Sequence, residues 1–400
     1  MITVCKFGGT AITKFNLDKV KKIYDKIEGK KFIVVSAYGK DGLNLPKITD
    51  MLIELANSIK NKQELLASPI YKQIYAIHKN LIKEFNIEID IDQLFKCFDK
   101  NELYYDYIVS RGEYLSGRIV AKFLDIEFFD SQDYIVFDKS GLNIKKSVKN
   151  IKLAFKNKKS GLLTGFYGKY LDKIKLFTRG GSDISGALLA SGVDADIYLN
   201  YIDVNGYLQI SPKIVSLSQT VPKLSYSQLL DLSQMGADVL HKDTILPLID
   251  KNIPINIKNL YNPDNQGTLI CHNPNKYGLI AITSEKAYLY TIYKKSNCKL
   301  EKLAGILNNN YIMLVDRRQK TYFSTNIDIF ELLSKQFCNY KITQEIITST
   351  QILYGDSLPC QKIVKVLQEY KKPIIYGEVE KEYCLFFTKE KIADILYKNL

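Results

Sequence analysis

Apolar positions along this chain recur with two periods, and their rhythm changes near residue 275. The run Ile2 to Cys5, apolar but for Thr3, and FIVV (32–35) predict buried strands. Residues 17–28 carry a helical pattern that Asn16 stands ready to cap. Helical spacing then fills 47–98 with hardly a turn signal, and another helix is expected over 102–124. EFFD (127–130), DYIVF (133–137), LLTGF (162–166) and KLFT (175–178) read as strands. KLFT runs into RGGSD, where Ser182 is placed to cap a helix over 183–192, and DIYL (196–199) and IPINIKN (253–259) continue the alternation. Strands alternating with helices predict an α/β fold with a mainly parallel sheet.

After NPDNQGTLI (262–270) the elements become shorter. The pattern predicts strands GLIAIT (278–283) and AYLYTIY (287–293), a helix over 299–309, strands YIMLV (311–315) and TYFST (321–325), and a helix over 326–337. A second set follows: EIITSTQILY (345–354), helix 359–370, KPIIYG (372–377), YCLFF (383–387) and helix 389–398. Both sets fit small α+β units of βαββαβ type. With the Asn-Pro-rich HNPNKYG segment they predict two domains, 1–275 and 276–400.

Composition narrows the class. The 400 residues are 46% apolar and 25% charged, an ordinary globular mix. No apolar run approaches the roughly 18 residues of a membrane helix. The first residues lack a basic segment followed by an apolar one, so a cytoplasmic location is expected. Seven scattered cysteines without CxxC predict reduced thiols rather than a disulfide framework or zinc site, and with three histidines a histidine-rich metal site is not expected. The formal charge of +13 raises the question of nucleic acid. The lysines are spread along the whole chain, however, and no RNP-like, zinc-finger or helix-turn-helix signature is present. Neither a nucleic acid nor a membrane partner is expected; a small anionic substrate suits the charge.

Two short stretches carry candidate chemistry. In KFGGT (6–10) a strand ends in a lysine and two glycines, and backbone N–H groups fanned around such a turn form an anion nest beside a point charge. In FTRGGSD (177–183) a second Gly-Gly turn opens a helix, whose N-terminal N–H groups also attract anions, and Arg179 offers a bidentate fork. A plain strand-to-helix turn with a solvated Lys6 is the structural alternative. VVSAYGK (34–40) ends a strand with small residues where a ligand can approach backbone. SRGE (110–113) sets Glu113 within a helix, either to hold an ammonium group or to form a surface ion pair with Arg111 or Arg118.

With VVSA (34–37), KITD (47–50), MGADVLH (235–241) and IKNLYNPDNQGT (257–268), these stretches form an ordered set that resembles the aspartate kinases of the amino acid kinase superfamily over nearly the full chain. The resemblance implies a three-layer αβα kinase domain followed by paired ACT-like units for regulation and dimerisation. It implies transfer of a phosphoryl group from MgATP to the side-chain carboxylate of L-aspartate, the first step toward lysine, threonine and methionine. It also implies roles. Lys6 stabilises the transferring group, and Gly8, Gly9 and Thr10 cradle it. Ser36, Ala37 and Thr49 line the aspartate site, where Glu113 holds the ammonium and Arg179 the α-carboxylate. Gly181, Ser182 and Asp183 face both substrates, with Asp183 orienting Lys6 or the metal. A homodimer through the C-terminal domains is expected.

The match is uneven. Ala11 stands where the family usually carries serine. The nucleotide segment, usually similar to TDVDGVYTADPR, reads IDVNGYLQISPK (202–213). Ile202, Ser211 and Lys213 depart from it, and lysine loses the guanidinium fork. Asp203, Gly206, Tyr207, Pro212 and Lys213 remain its nucleotide-binding candidates. The loops 291–305 and 352–362 lack the usual effector pattern, which leaves amino-acid control open. These departures motivate an alternative, a catalytically weak regulatory or binding subunit or a kinase for a related amino acid.

Overall fold

The computed structural model describes all residues except 41–45, 100–102, 179, 236–239, 241, 274–277, 294–312, 318–319, 337–339, 356–359, 370–373 and 380–382. The chain forms two compact units. The first comprises Met1–Tyr207, Thr220–Leu230 and Val239–Pro274, and the second Leu208–Gln219, Asp231–Asp238 and Asn275–Leu400. Two short stretches before residue 275 thus belong with the second unit.

The first unit is built on an eight-stranded sheet. Its strands lie in the order Lys223–Ser225, Thr268–Cys271, Ile255–Asn259, Ile197–Ile202, Ile2–Phe7, Lys30–Val35, Ser160–Thr164 and Phe128–Phe129. Among the described strands, only the pair Ile255–Asn259 and Thr268–Cys271 is antiparallel. One face packs Cys5, Phe7, Ile33, Val35 and Tyr201 against helices that include Leu17–Lys26, Ile48–Ser58 and Tyr105–Phe123. The helix Gly181–Gly192, buried at every residue but Asp183, contacts strands Ile2–Phe7 and Lys30–Val35. Alternation along a strand separates the faces: Phe7 and Tyr201 stack on one side, leaving Lys6 and Asn200 on the other.

Several expected elements take other forms. The pattern over 47–98 resolves into four helices, Ile48–Ser58, Lys62–Ala67, Pro69–Glu84 and Ile91–Phe95, because side-chain caps at Asn61, Ser68 and Asp90 start new helices inside a continuous apolar period. KLFT does not join the parallel sheet. Lys173–Leu176 is the edge of a small four-stranded sheet with Gly141–Leu142, Val136–Asp138 and Tyr167–Tyr170. EFFD is reduced to Phe128–Phe129, and DYIVF begins in a short 3-10 turn before strand Val136–Asp138. No helix among the described residues is long and apolar enough to cross a membrane.

The second unit holds one six-stranded antiparallel sheet. GLIAIT and AYLYTIY are not two strands. Leu279–Tyr293 is continuous and pairs along its length with Lys341–Tyr354, because the polar residues Ser284 to Lys286 stay in the ladder instead of turning. These two long strands join both α+β sets into a single sheet. Met313–Arg317 and Lys320–Thr325 pair at one end, Tyr383–Thr388 and Ile374–Val379 at the other. The helix expected over 299–309 lies outside the described residues.

Candidate active site

The strand order places a crevice at the C-terminal end of Ile2–Phe7. From this strand the chain proceeds to Lys30–Val35 on one side, while Ile197–Ile202 pairs on the other. Such a switch point opens beyond the carboxyl ends of parallel strands, where ligands of open α/β sheets bind. Lys6 stands at that end, in register with Asn200 on one neighbour and Val34 on the other.

Lys6 is not solvated. It is 7% exposed, and its Nζ lies 2.7 Å from Asp183 Oδ1. Asp183 occupies the first turn of the Gly181–Gly192 helix, where a carboxylate is favoured by the helix dipole. The cap is Gly180, in the left-handed region at φ +58°, so the helix starts before the position expected of Ser182. Ser182 is buried inside the first turn and makes no cap. Asn200 Nδ2 donates to the same Asp183 oxygen at 2.9 Å, and Tyr198, two residues earlier on that strand, donates its hydroxyl to the Asp183 carbonyl at 3.2 Å.

The glycine loop after Lys6 passes through Gly8 into a 3-10 turn, Gly9–Ala11, and packs against the loop ending VVSAYGK. Ser36 N–H donates to Phe7 O, and Gly39 N–H to Ile12 O, both at 3.0 Å. A Cβ on Gly39 would overlap the Gly9 carbonyl, so only glycine permits this approach. Thr10 is exposed at the tip, whereas Ala11 is buried in the core beneath it. Asn16 does not cap the Leu17–Lys26 helix. Its amide instead donates to Thr10 O at 2.8 Å and Tyr261 Oη at 3.1 Å, and its oxygen accepts from Lys19 Nζ at 2.8 Å. That network ties the glycine loop to the segment following strand Ile255–Asn259.

Ala37 links this loop to Glu113. On one side its carbonyl lies 3.2 Å from where a Gly9 Cβ would stand. On the other, a Cβ on Gly112 would sit 2.9 Å from the Ala37 methyl and 3.1 Å from Leu52 Cδ1, so the missing side chain lets the Tyr105–Phe123 helix press onto the loop. The next residue, Glu113, receives the Ala37 backbone N–H. The residue is 4% exposed, and Oε2 has no hydrogen-bond partner among the described residues. Burial pushes its pKa from 4.5 up to about 8, against the pull of the Ala37 and Glu113 backbone N–H groups and of Arg111. The surface ion pair does not form: Arg111 is itself buried, with its guanidinium 4.3 and 4.6 Å from the rings of Tyr107 and Tyr114, and Arg118 lies over Phe128. Thr49, half-buried, follows Ile48, which borders the same Gly112 position.

The nucleotide-segment candidates are more dispersed. Asp203 is exposed just beyond strand Ile197–Ile202. Gly206 turns at φ +119°, and the Tyr207 N–H donates to Thr268 Oγ1 at 2.8 Å. Pro212 and Lys213 belong to the second unit and are exposed there. Arg179 and most of MGADVLH lie outside the described residues. Sequence reasoning missed Asn200, Tyr198 and Phe166. Phe166, at φ +72°, packs its Cα and ring 2.8 Å from where a Gly181 Cβ would be. A signal for Asn200 was present: an amide in the middle of the apolar run IYLNYI.

Comparisons with known proteins identify the family. Residues 1–259 match the amino acid kinase family. Aspartokinase 3 of Bacillus subtilis is 29% identical over 306 residues, spanning 71% of this chain and 67% of that protein. The crystal structure of Clostridium acetobutylicum aspartate kinase superposes with a TM-score of 0.86 and 30% identity over 100% of both chains. Escherichia coli aspartokinase III, in complex with aspartate and ADP, shares the fold at a TM-score of 0.76 and 19% identity over 100% of both chains. The chain belongs to the amino acid kinase family and, within it, to the aspartate kinases.

Proposed function

We propose that the protein is an aspartate kinase that transfers the γ-phosphoryl group of ATP to the side-chain carboxylate of L-aspartate, giving 4-phospho-L-aspartate and ADP. The observation that carries this reading is Glu113: a buried carboxylate with one oxygen unpaired, joined through Ala37 to the loop that follows Lys6. An ammonium group supplies the charge and the donor that this oxygen lacks.

The acceptor needs no general base, since a carboxylate with an unperturbed pKa near 4 is already ionised at neutral pH. What the residues must do is bring one anion against another. A carboxylate oxygen forms the new O–P bond as the bond from phosphorus to the β,γ-bridging oxygen breaks, and ADP leaves with those electrons. Lys6 neutralises charge on the transferring group, the amides of Gly8, Gly9 and Thr10 cradle it, and Asp183 orients Lys6. Gly181 and Ser182 add amides from the helix start. Ser36, Ala37 and Thr49 line the aspartate, and Arg179 is assigned the α-carboxylate from its motif alone. Asp203, Gly206, Tyr207, Pro212 and Lys213 are assigned to the nucleotide.

Mg²⁺ suits the donor set. Mg²⁺ characteristically takes one or two carboxylates plus substrate phosphates, and Asp183, with 20% of its side chain exposed beside Lys6, offers one. Asp183 is the carboxylate that would hold it, and the ion would neutralise the β- and γ-phosphate oxygens. The second unit is assigned to dimerisation, supported by the exposed apolar residues Ile327, Phe330, Leu332 and Ile346; light scattering of the purified chain tests it. A cytoplasmic location accords with an ATP-consuming reaction of a free amino acid.

Hydroxylamine trapping decides the activity. With L-aspartate and MgATP the protein is expected to form aspartyl hydroxamate, and with glutamate or no amino acid to form none. A folded protein that makes no hydroxamate from aspartate would refute the proposal.

A further inference from the structure

We infer that Asn200 is a positioning residue for phosphoryl transfer: its side-chain amide, set beside Lys6 by the sheet register, fixes the Asp183 carboxylate against the Lys6 ammonium. What the pair is positioned for rests on the kinase reading above; the positioning itself stands on geometry. Parallel pairing places Asn200 opposite Lys6, so both side chains leave the same face of the sheet. Asp183 Oδ1 then accepts from Lys6 Nζ at 2.7 Å and from Asn200 Nδ2 at 2.9 Å. Two residues along the same strand and on the same face, the Tyr198 hydroxyl donates to the Asp183 carbonyl. Main chain and side chain of Asp183 are thus both tied to strand Ile197–Ile202.

The choice of residue runs against local stability. Asn200 is 1% exposed in a central parallel strand, where apolar residues are the rule, and its Oδ1 is buried with no partner among the described residues. A leucine, branched at the same carbon, would leave no orphaned acceptor. Retaining an amide there is a conflict between local packing and composition of the kind that collects at functional sites. Without the amide, Asp183, with 20% of its side chain exposed, is free to swing toward water, and Lys6 on its flexible stem loses the anchor that aims it.

Asn200→Leu tests this. Misaimed transition-state groups lower turnover and spare ground-state binding, so kcat is expected to fall about tenfold or more, with KM for aspartate and ATP within about twofold. Tm should be unchanged or higher. A variant with lower Tm and wild-type kcat would show a merely structural role and overturn the inference. Asn200→Asp keeps the shape but cannot donate while ionised, so its kcat should recover as pH falls; a pH profile parallel to wild type would count against positioning. A crystal structure of Asn200→Leu needs no activity: Asp183 is expected to leave Lys6, and an intact 2.7 Å pair overturns the inference. If wild type makes no aspartyl hydroxamate, the kinase reading fails, while that crystal structure still decides the role of Asn200.

Discussion

Glu113 and Asp203 are both acidic residues assigned to substrate binding, yet the chain builds their surroundings by opposite means. Glu113 lies inside a nineteen-residue helix, under the Ala37 loop and beside the start of the Ile48–Ser58 helix, with its carboxyl group removed from water. Asp203 lies in the open at a strand end, followed by a glycine turn and by Asn205, whose side chain accepts from Asn259 Nδ2 at 2.7 Å. A buried carboxylate discriminates because it cannot fall back on water: only a partner of the right charge relieves it. An exposed segment carries less of its affinity in any single side chain. At Ser211 and Lys213, where the resemblance fails, the side chains are exposed. Substitution is cheap where solvent satisfies what the side chain no longer does.

The largest effect is expected where the two sides meet. Lys6→Ala removes the cation from the loop both substrates share, and kcat should fall about a thousandfold, the upper range for losing one charge-stabilising donor. The fold should survive, because Asp183 keeps its bond from Asn200 and partial access to water. Hydroxamate assays with circular dichroism check both halves, and near-wild-type kcat would dissolve the assignment of the phosphoryl-transfer loop.

Glu113→Gln breaks the aspartate side alone. KM for aspartate should rise about a hundredfold, the scale of losing one buried charge-assisted hydrogen bond, with KM for ATP nearly unchanged. The wild-type pH dependence sharpens the test. The free carboxyl holds its proton up to about pH 8, and the substrate ammonium needs it ionised. KM for aspartate should therefore fall about tenfold per pH unit as pH rises toward that value, then level off; in the glutamine variant this slope should vanish. Stability runs the other way. A pKa raised from 4.5 to about 8 stabilises the fold fully below 4.5 and is lost as pH rises through 8, so the glutamine variant should gain on wild type in alkaline thermal melts.

How much of this was legible in the sequence follows the same division. Strands such as FIVV, apolar at every position, announced the parallel sheet because burial on both faces leaves no alternation to misread. The glycine and acidic motifs were legible because their chemistry is local. What the sequence hid were contacts made across the fold. Asn16 reads as a cap and serves instead as a tie between Thr10 and Tyr261, a residue 245 positions away. The strand Leu279–Tyr293 reads as two because polar residues interrupt it, and only its partner Lys341–Tyr354 makes it one. The charge state of Glu113 was equally invisible, since burial by three separate elements sets it.

The Asn16 tie predicts an intermediate effect on the nucleotide side. Tyr261→Phe deletes the hydroxyl of a half-exposed residue, worth about 1 kcal/mol, so KM for ATP should rise about fivefold with KM for aspartate unchanged. An effect on aspartate instead would mean that the glycine loop transmits strain to Ala37 and that the two sides are not separable.

Lys213→Arg should do least. The exposed lysine already supplies the charge, and restoring the guanidinium fork adds a second hydrogen bond only if a phosphate lies in its plane. In solvent such a gain is small, and KM for ATP should fall by less than about threefold. Ionic strength offers an independent handle, because a charge exposed to water loses most of its pull within about 8 Å at physiological salt. If raising salt erases what difference there is, Lys213 acts as a screened surface charge, and the tolerance of the 202–213 segment follows. A tenfold change that resists salt would instead mean that this side chain becomes buried against the nucleotide, and the contrast between a buried Glu113 and an exposed Lys213 would have to be given up.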